Sequence, residues 1–245
     1  MREHRMEIEI EATPEEVWQS LTEEAGLERW FAPVARVTQG VGGSVYLSWG
    51  EGMEGTAPIH LWEPGRRFGW TEGPKKVEFE IVPGAGGGGT KLHLVHSGFG
   101  AEANFDNEYD STLGGWTIFL AMFRHGAAHF RGRPARHVYS LRMIDQPVDA
   151  VWSRFRFSSL AEGAECRAEL GGGLTVEGRV IRYLRPGYLC LETGGDTIVG
   201  VFVEKGGKGR SMFTLQAILF GEAAMAGDQQ WRDGIASAGA AAMLP

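Results

Sequence analysis

The sequence predicts an α+β chain of two tandem domains, each a curved antiparallel sheet wrapped around a long C-terminal helix. Its 245 residues allow one large domain or two small ones. A strand followed by a helix start that ends in Val-Trp occurs twice, at Trp18 and at Trp152. Short alternating strands separated by glycine clusters then lead, in both halves, to one final helical stretch. Together these observations indicate a duplicated domain.

Two further correspondences support the repeat and set its boundaries. The segment Glu54–Phe68 resembles Glu177–Leu189, and both contain a Pro-Gly pair after which a strand resumes. Each half also ends in a helical pattern, near 108–130 and near 228–243. We place the first domain at about 1–133 and a shorter, diverged second domain at 138–245. The linker lies around Pro134, because proline disfavours the continuation of a helix.

The first copy shows the local signals most clearly. Thr13 and Glu16 fit a capping box, with Pro14 at the first helical position. Apolar residues alternate over 77–81 and again over 92–96, which predicts two strands with one buried face each. The glycine-rich segment between them, 83–89, predicts a hairpin loop. The last helix has one apolar face, formed by residues at i, i+3, i+4 and i+7: Trp116, Phe119, Leu120 and Phe123.

Composition and charge exclude several classes of protein. The net charge of −7 argues against binding to a nucleic-acid backbone. Two cysteines without a C-x-x-C pair argue against a disulfide scaffold and a cysteine zinc site. No secretory signal or bilayer-spanning run is visible, so we expect a cytoplasmic protein without membrane contact. The first 135 residues carry the whole net charge and six of the eight tryptophans, which points to that part for function.

Four stretches of the first copy resemble a known family. They are A-T-P-E-E-V-W-Q-S-L-T-E-E-A-G-L-E-R-W-F (12–31), W-E-P-G-R-R-F-G-W (62–70), G-T-K-L-H-L-V-H-S-G-F (89–99) and G-G-W (114–116). In this order they resemble the heat-shock protein 90 ATPase activator homologues, within the START-like (Bet v-like, polyketide cyclase) helix-grip superfamily. The resemblance covers nearly all of residues 1–130. It implies a cavity between sheet and helix that often holds an apolar small molecule, and in some members a reaction.

The resemblance and the apolar pattern together give a candidate ligand site in the first domain. Ligand sites are mostly apolar with a few polar groups, and His96 continues an otherwise apolar strand face. The alternative is that these side chains simply form the core. The residues expected to line the site are Trp49, Trp62, Phe68, Trp70, Phe79, Leu94, His96, Trp116, Phe119, Leu120 and Phe123.

Three functions from different classes follow. The leading hypothesis is non-catalytic binding of a small apolar molecule in the first domain, with no cofactor. The second is a protein-interaction module that modulates a chaperone ATPase, as the family name suggests. The third is a cyclase or hydrolase that uses His96 as an acid or base. His125 and His129 have a metal-ligand spacing but no third ligand, and the G-x-G-x-x-G of residues 84–89 is followed by a strand instead of a helix, so we expect neither a metal nor a nucleotide.

Overall fold

The computed structural model describes residues 1–50, 52–84, 89–102, 106–194, 196–226 and 228–243. Within these ranges the strands form two seven-stranded antiparallel sheets. The first sheet has the order β1-β7-β6-β5-β4-β3-β2 and the second the order β8-β14-β13-β12-β11-β10-β9. In both sheets, therefore, the first strand of the half lies beside the last one and the others follow in reverse. This common topology confirms the tandem duplication and the α+β class.

The strands and helices have the following bounds. The first sheet contains β1 (Arg2–Ile10), β2 (Val34–Thr38), β3 (Ser44–Ser48), β4 (Glu54–Glu63), β5 (Arg67–Glu72), β6 (Lys75–Pro83) and β7 (Thr90–Phe99). The second contains β8 (Ala135–Ile144), β9 (Arg156–Phe157), β10 (Glu165–Glu169), β11 (Thr175–Arg185), β12 (Tyr188–Thr193), β13 (Thr197–Lys205) and β14 (Ser211–Phe220). The helices are α1 (Pro14–Thr22), α2 (Glu24–Leu27), α3 (Asp106–His129), α4 (Val148–Trp152), α5 (Glu222–Ala226) and α6 (Gln229–Ala242).

Several local predictions are confirmed. Glu16 accepts a hydrogen bond from the Thr13 backbone N–H, and the Thr13 hydroxyl accepts one from the Glu16 N–H, so the capping box opens α1 as expected. Burial alternates along β6 and β7, with the predicted apolar residues inside. The hairpin between them closes through Gly84 N–H to the Gly89 carbonyl. Its tip, 85–88, and with it most of the glycine motif, lies outside the described residues.

The chain folds as two compact units. The first comprises Met1–Tyr109 and Phe123–Arg131, and the second comprises Asp110–Met122 and Gly132–Pro245. The repeat in the sequence predicts that all of α3 belongs to the first domain, whereas its middle segment, 110–122, packs as part of the second unit. Glycines permit this arrangement, because a Cβ on Gly114 would lie 2.1 Å from Tyr188 Cζ and a Cβ on Gly200 would lie 2.4 Å from Met122 Cε.

Helices lie on both faces of the second sheet within its unit. One face packs against α4 and α6 and forms a core with Leu189, Val201 and Leu215. Gly239 of α6 approaches Ser140 closely, since a Cβ there would lie 3.2 Å from the Ser140 hydroxyl oxygen. The opposite face meets segment 110–122 of α3. Strands covered on both faces read as nearly continuous apolar runs, which explains the pattern of β13 and β14.

The outer edge of the first sheet is closed by carboxylates. The backbone N–H of Ala35 in β2 donates to Glu28 Oε1 at 3.0 Å, and that of Val37 donates to Glu24 Oε1 at 3.3 Å. Arg36 lies 3.2 Å from Glu28 and 3.7 Å from Glu24. Free N–H groups on an edge strand are templates for pairing with another chain. Here α2 and the residue that follows it satisfy two of them within the molecule.

Candidate ligand-binding site

The strand residues of the predicted site share the inner face of the first sheet. Trp62 pairs across the strands with Phe68, Phe68 with Phe79, and Phe79 with Leu94. The next row runs from Trp70 through Val77 to His96. Because side chains of directly paired residues point to the same side of a sheet, these residues form two adjacent apolar rows.

Aromatic rings connect these rows into one continuous cluster. Phe68 lies at ring-centroid distances of 5.5 Å from Trp62 and 5.6 Å from Trp70. Trp70 lies 6.2 Å from Phe31, which in turn lies 5.2 Å from Trp49. Offset and edge-to-face pairs at such distances contribute about 0.5–1.5 kcal/mol each beyond area burial. Ring contacts thus join Trp62 to Trp49 without a break.

Two tryptophans of the cluster differ from the rings between them in exposure. Phe68, Trp70 and Phe79 are at most 1% exposed, whereas Trp49 and Trp62 are half-buried. A solvent-borne molecule therefore reaches the rings first at these two tryptophans.

The indole N–H groups of the cluster are largely satisfied by the protein. Trp30 donates to the Ser20 carbonyl and Trp49 to the Phe31 carbonyl, both at 3.1 Å, and Trp70 donates to Glu72 at 3.0 Å. Buried Trp N–H groups normally find such partners. These three rings consequently offer apolar faces and edges, and no free donor, to any neighbouring molecule.

The helix residues of the predicted site do not stay together. Phe123 lies in the first unit, where its ring stacks on Trp30 at 4.8 Å. Trp116, Phe119 and Leu120 belong to the segment that groups with the second unit. Phe119 lies 5.5 Å from Phe202. The helical stripe read from the sequence is therefore divided between two sets of partners.

Three further aromatics contribute to the cluster beyond the predicted lining residues: Trp18, Trp30 and Phe31. Trp18 lies 5.1 Å from Trp62, and Trp30 lies 5.0 Å from Phe31. Two features of the sequence point to these aromatics. Trp18 lies on the apolar face of α1, one turn before Leu21, and the Trp30-Phe31 pair follows shortly after α2. Both signals fall within the family motif, but periodicity alone does not direct them toward the site.

His96 is buried at the end of the second row, beside β1. Its ring lies 4.6 Å from Phe99, and it pairs in register with His4. His4 Nε2 donates to the Tyr109 carbonyl at 2.9 Å, because a carbonyl can only accept. Burial, reinforced by the charges of Lys75 and His4, lowers the pKa of His96 to about 4. The imidazole is therefore neutral at physiological pH.

The outer face of the first sheet carries a depression of about 470 Å³ of quite different character. Charged and polar side chains line much of it, among them Glu7, Glu80 and His93. Glu7 lies 2.7 Å from Lys91 and 3.0 Å from His93; the hydrogen bond from Lys91 lowers the pKa of Glu7. Most of the residues that line the depression are polar, whereas ligand sites are mostly apolar.

The described residues contain neither a metal cluster nor a membrane-spanning helix. Within these ranges, no group of three or more His, Cys, Asp or Glu side chains is placed to hold a metal ion. The rings of His125 and His129 lie 4.3 Å apart on α3. Among the helices in the described part of the chain, none has both the length and the apolar character required to cross a bilayer.

Two sheets of the same strand order, each followed by a helix, define a protein of tandem helix-grip domains. Residues 11–126 match the model of the family described as Activator of Hsp90 ATPase homolog 1-like protein. The match covers most of the first domain and confirms the resemblance seen in that part of the sequence. No curated protein matches the chain.

Solved structures similar to this chain include single-domain and two-domain proteins. The di-domain ARO/CYC BexL from the BE-7585A biosynthetic pathway is 13% identical over all of both chains, with a TM-score of 0.47. DynU16, from the dynemicin biosynthetic locus, is 20% identical over 98% of this chain and 96% of its own, with a TM-score of 0.46. The Aha1 dimer from Colwellia psychrerythraea is 19% identical over 54% of this chain and 100% of its own, with a TM-score of 0.44. At these identities and scores, the likenesses establish no activity.

Proposed function

We propose that the first unit binds a small apolar molecule against its aromatic cluster, without catalysing a reaction. The observation that carries this proposal is the unbroken series of ring contacts that joins two half-buried tryptophans, Trp62 and Trp49, through buried rings. A planar apolar molecule gains area burial and ring stacking there. Because the indole N–H groups of Trp30, Trp49 and Trp70 already have acceptors, the ligand contributes apolar surface in preference to hydrogen-bond acceptors.

The test uses N-phenylnaphthylamine, a neutral aromatic fluorophore that brightens in apolar surroundings. Titration of the full chain is expected to give saturable fluorescence, accompanied by quenching of tryptophan emission through energy transfer. Trp62→Ala is expected to weaken binding about tenfold, which corresponds to the loss of roughly one ring contact and its buried area. Trp62→Phe retains a ring and is expected to bind nearly as well as the wild type.

Trp231→Ala is the matched control, because Trp231 is also half-buried but packs against the core of the second unit. It is expected to leave the probe affinity unchanged. Absence of saturable binding to the folded wild-type chain would overturn the proposal. Equal losses in Trp62→Ala and Trp231→Ala would do the same, since the probe would then report general loosening.

A second candidate function is modulation of a chaperone ATPase, which the description of the matching family favours. The net negative charge of the first 135 residues suits a basic partner surface. Addition of the full chain to a purified chaperone ATPase of the heat-shock protein 90 class is expected to change its turnover in a salt-dependent manner. Unchanged turnover at low salt would count against this function.

A further inference from the structure

In the second unit, the phenol of Tyr188 lies between two hydrogen-bond acceptors. Its oxygen is 3.0 Å from Glu204 Oε1 and 3.4 Å from the backbone carbonyl of Ser111. Tyr188 belongs to β12, Glu204 to β13, and Ser111 to the segment of α3 that groups with this unit. The phenol thus connects a carboxyl group on the sheet with the backbone of the helix that covers it.

The neighbouring groups hold this arrangement in place. Arg185 lies over the Tyr188 ring, with its Cζ 5.5 Å from the ring centroid, and donates to the Asp110 carbonyl at 3.1 Å. The bare backbone of Gly114 leaves the space that the ring occupies. The titratable and charged groups that act on Glu204 are Tyr188 of β12, Arg185 of β11 and Tyr139 of β8. The contacts recorded with α3 at this point go to the backbone carbonyls of Asp110 and Ser111.

Glu204, Tyr188 and the Ser111 carbonyl form a hydrogen-bond relay, and the number of protons in this relay gives it two states. A phenol has one proton to donate. When Glu204 is ionised, that proton goes to the carboxylate, because charge-assisted hydrogen bonds are the stronger ones, and none remains for Ser111. When Glu204 is protonated, the carboxyl group donates to the Tyr188 oxygen, and the phenol proton is released to the Ser111 carbonyl. Two protons then serve two hydrogen bonds.

We propose that protonation of Glu204 redirects the Tyr188 hydroxyl to the Ser111 carbonyl and so fastens the start of segment 110–122 to the second sheet. The relay is a pH-sensitive clasp on α3, separate from the aromatic cluster of the first unit. It requires a change in the direction of one hydroxyl.

The electrostatics place the transition near neutrality. Burial raises the pKa of Glu204 to about 7, against the opposing effects of the Tyr188 hydrogen bond and the Arg185 charge. An acid whose pKa is raised on folding binds its proton more tightly in the folded state. Its contribution to stability is therefore fully present below the unfolded value near 4.5 and is lost as the pH rises to about 7. In the folded chain the clasp closes as the pH falls through about 7.

Hydrogen exchange of the full chain tests the clasp directly. Backbone amides of residues 110–116 are expected to be about twofold to tenfold more protected well below pH 7 than well above it, after correction for intrinsic exchange rates, which is the change one hydrogen bond of ordinary net strength makes. Glu204→Gln keeps a donor toward Tyr188 at every pH. In this variant the amides of residues 110–116 are therefore expected to be as protected at high pH as the wild type is at low pH. Tyr188→Phe is expected to give the weaker protection throughout.

Glu192→Gln is the matched control, because Glu192 is a half-buried glutamate on the neighbouring strand β12; its amides are expected to follow the wild type. The proposal is overturned if Glu204→Gln retains the wild-type pH dependence, or if Glu192→Gln abolishes it. A carboxyl-carbon NMR titration provides a second readout that does not depend on stability. The Glu204 resonance is expected to titrate near neutrality, and an ordinary glutamate midpoint would refute the clasp.

Discussion

The ring of Tyr188 occupies the space that a side chain at position 114 would need. A Cβ on Gly114 would lie 2.1 Å from Tyr188 Cζ, whereas a Cβ on Gly115 would meet nothing closer than Phe119 at 3.9 Å. These two adjacent helical glycines therefore have opposite requirements. One is needed for close approach of the helix to the sheet, and the other is not.

This difference gives the first prediction. Gly114→Ala is expected to destabilise the protein by about 1–3 kcal/mol, because the ring or the helix must shift to admit the methyl group. Gly115→Ala is the internal control and is expected to stabilise it by up to about 1 kcal/mol, since alanine is the better helix former. Denaturant unfolding measures both. If Gly114→Ala is as stable as Gly115→Ala, the close packing of α3 on the second sheet is wrong.

The carboxylates that close strand β2 give the second prediction. The double substitution Glu24→Ala, Glu28→Ala leaves the N–H groups of Ala35 and Val37 without their side-chain acceptors. We expect a loss of about 1–2 kcal/mol in stability and concentration-dependent self-association through the freed edge. Sedimentation velocity detects the association. Glu23→Ala, an exposed neighbour with no capping hydrogen bond, should remain at the wild-type oligomeric state.

His96 gives a prediction about acid stability. Its pKa is lowered from 6.5 to about 4 in the folded chain, so the unfolded state binds its proton more readily. The stabilising contribution is therefore complete above pH 6.5 and is lost as the pH falls toward 4, by an amount on the order of 3 kcal/mol. This slope is opposite in sign to the one due to Glu204.

Unfolding free energies measured across this pH range separate the two groups. His96→Gln should remove the part of the acid destabilisation that His96 causes, while His129→Gln, at the exposed end of α3, should leave the profile unchanged. Identical acid profiles for wild type and His96→Gln would show that burial of this imidazole does not control stability.

The cap of α1 gives a fourth prediction. Thr13→Ala removes the acceptor for the Glu16 N–H and is expected to destabilise the chain by about 1 kcal/mol. Thr13→Ser keeps the hydroxyl and is expected to restore most of the stability in thermal unfolding. A Thr13→Ser variant no more stable than Thr13→Ala would indicate that the methyl group, and not the hydrogen bond, matters at this position.

Local patterns predicted much of this fold, for physical reasons that particular residues make clear. Strands β6 and β7 are indicated by alternation, and α1 by a cap whose two hydrogen bonds are fixed by sequence spacing. The inner-face residues Phe68, Phe79 and Leu94 follow from the same alternation. Each of these signals depends on neighbours along the chain, so it can be read without knowledge of tertiary contacts.

The partners of α3 could not be predicted in this way. Periodicity identifies a helix's apolar stripe but does not say what covers it, and residues on the same stripe here have different neighbours: Phe123 contacts Trp30, and Phe119 contacts Phe202. Ile118 and Met122, outside the stripe, are also buried. Gly114 indicates that another element packs closely against α3, since a glycine within a helix often permits such close packing. The repeat pattern alone assigns all of α3 to the first domain, whereas the structure groups this segment with the second unit.

The assignment of segment 110–122 to the second unit has a consequence for how the chain can be divided into fragments. Along the chain, segment 110–122 of the second unit precedes residues 123–131 of the first unit. A single cut in the chain therefore does not separate the two units. A fragment that begins at Gly132 leaves Tyr188, Gly200 and Phe202 without the helix that covers them. A fragment that is to keep these contacts must therefore include segment 110–122 together with the residues from Gly132 onward.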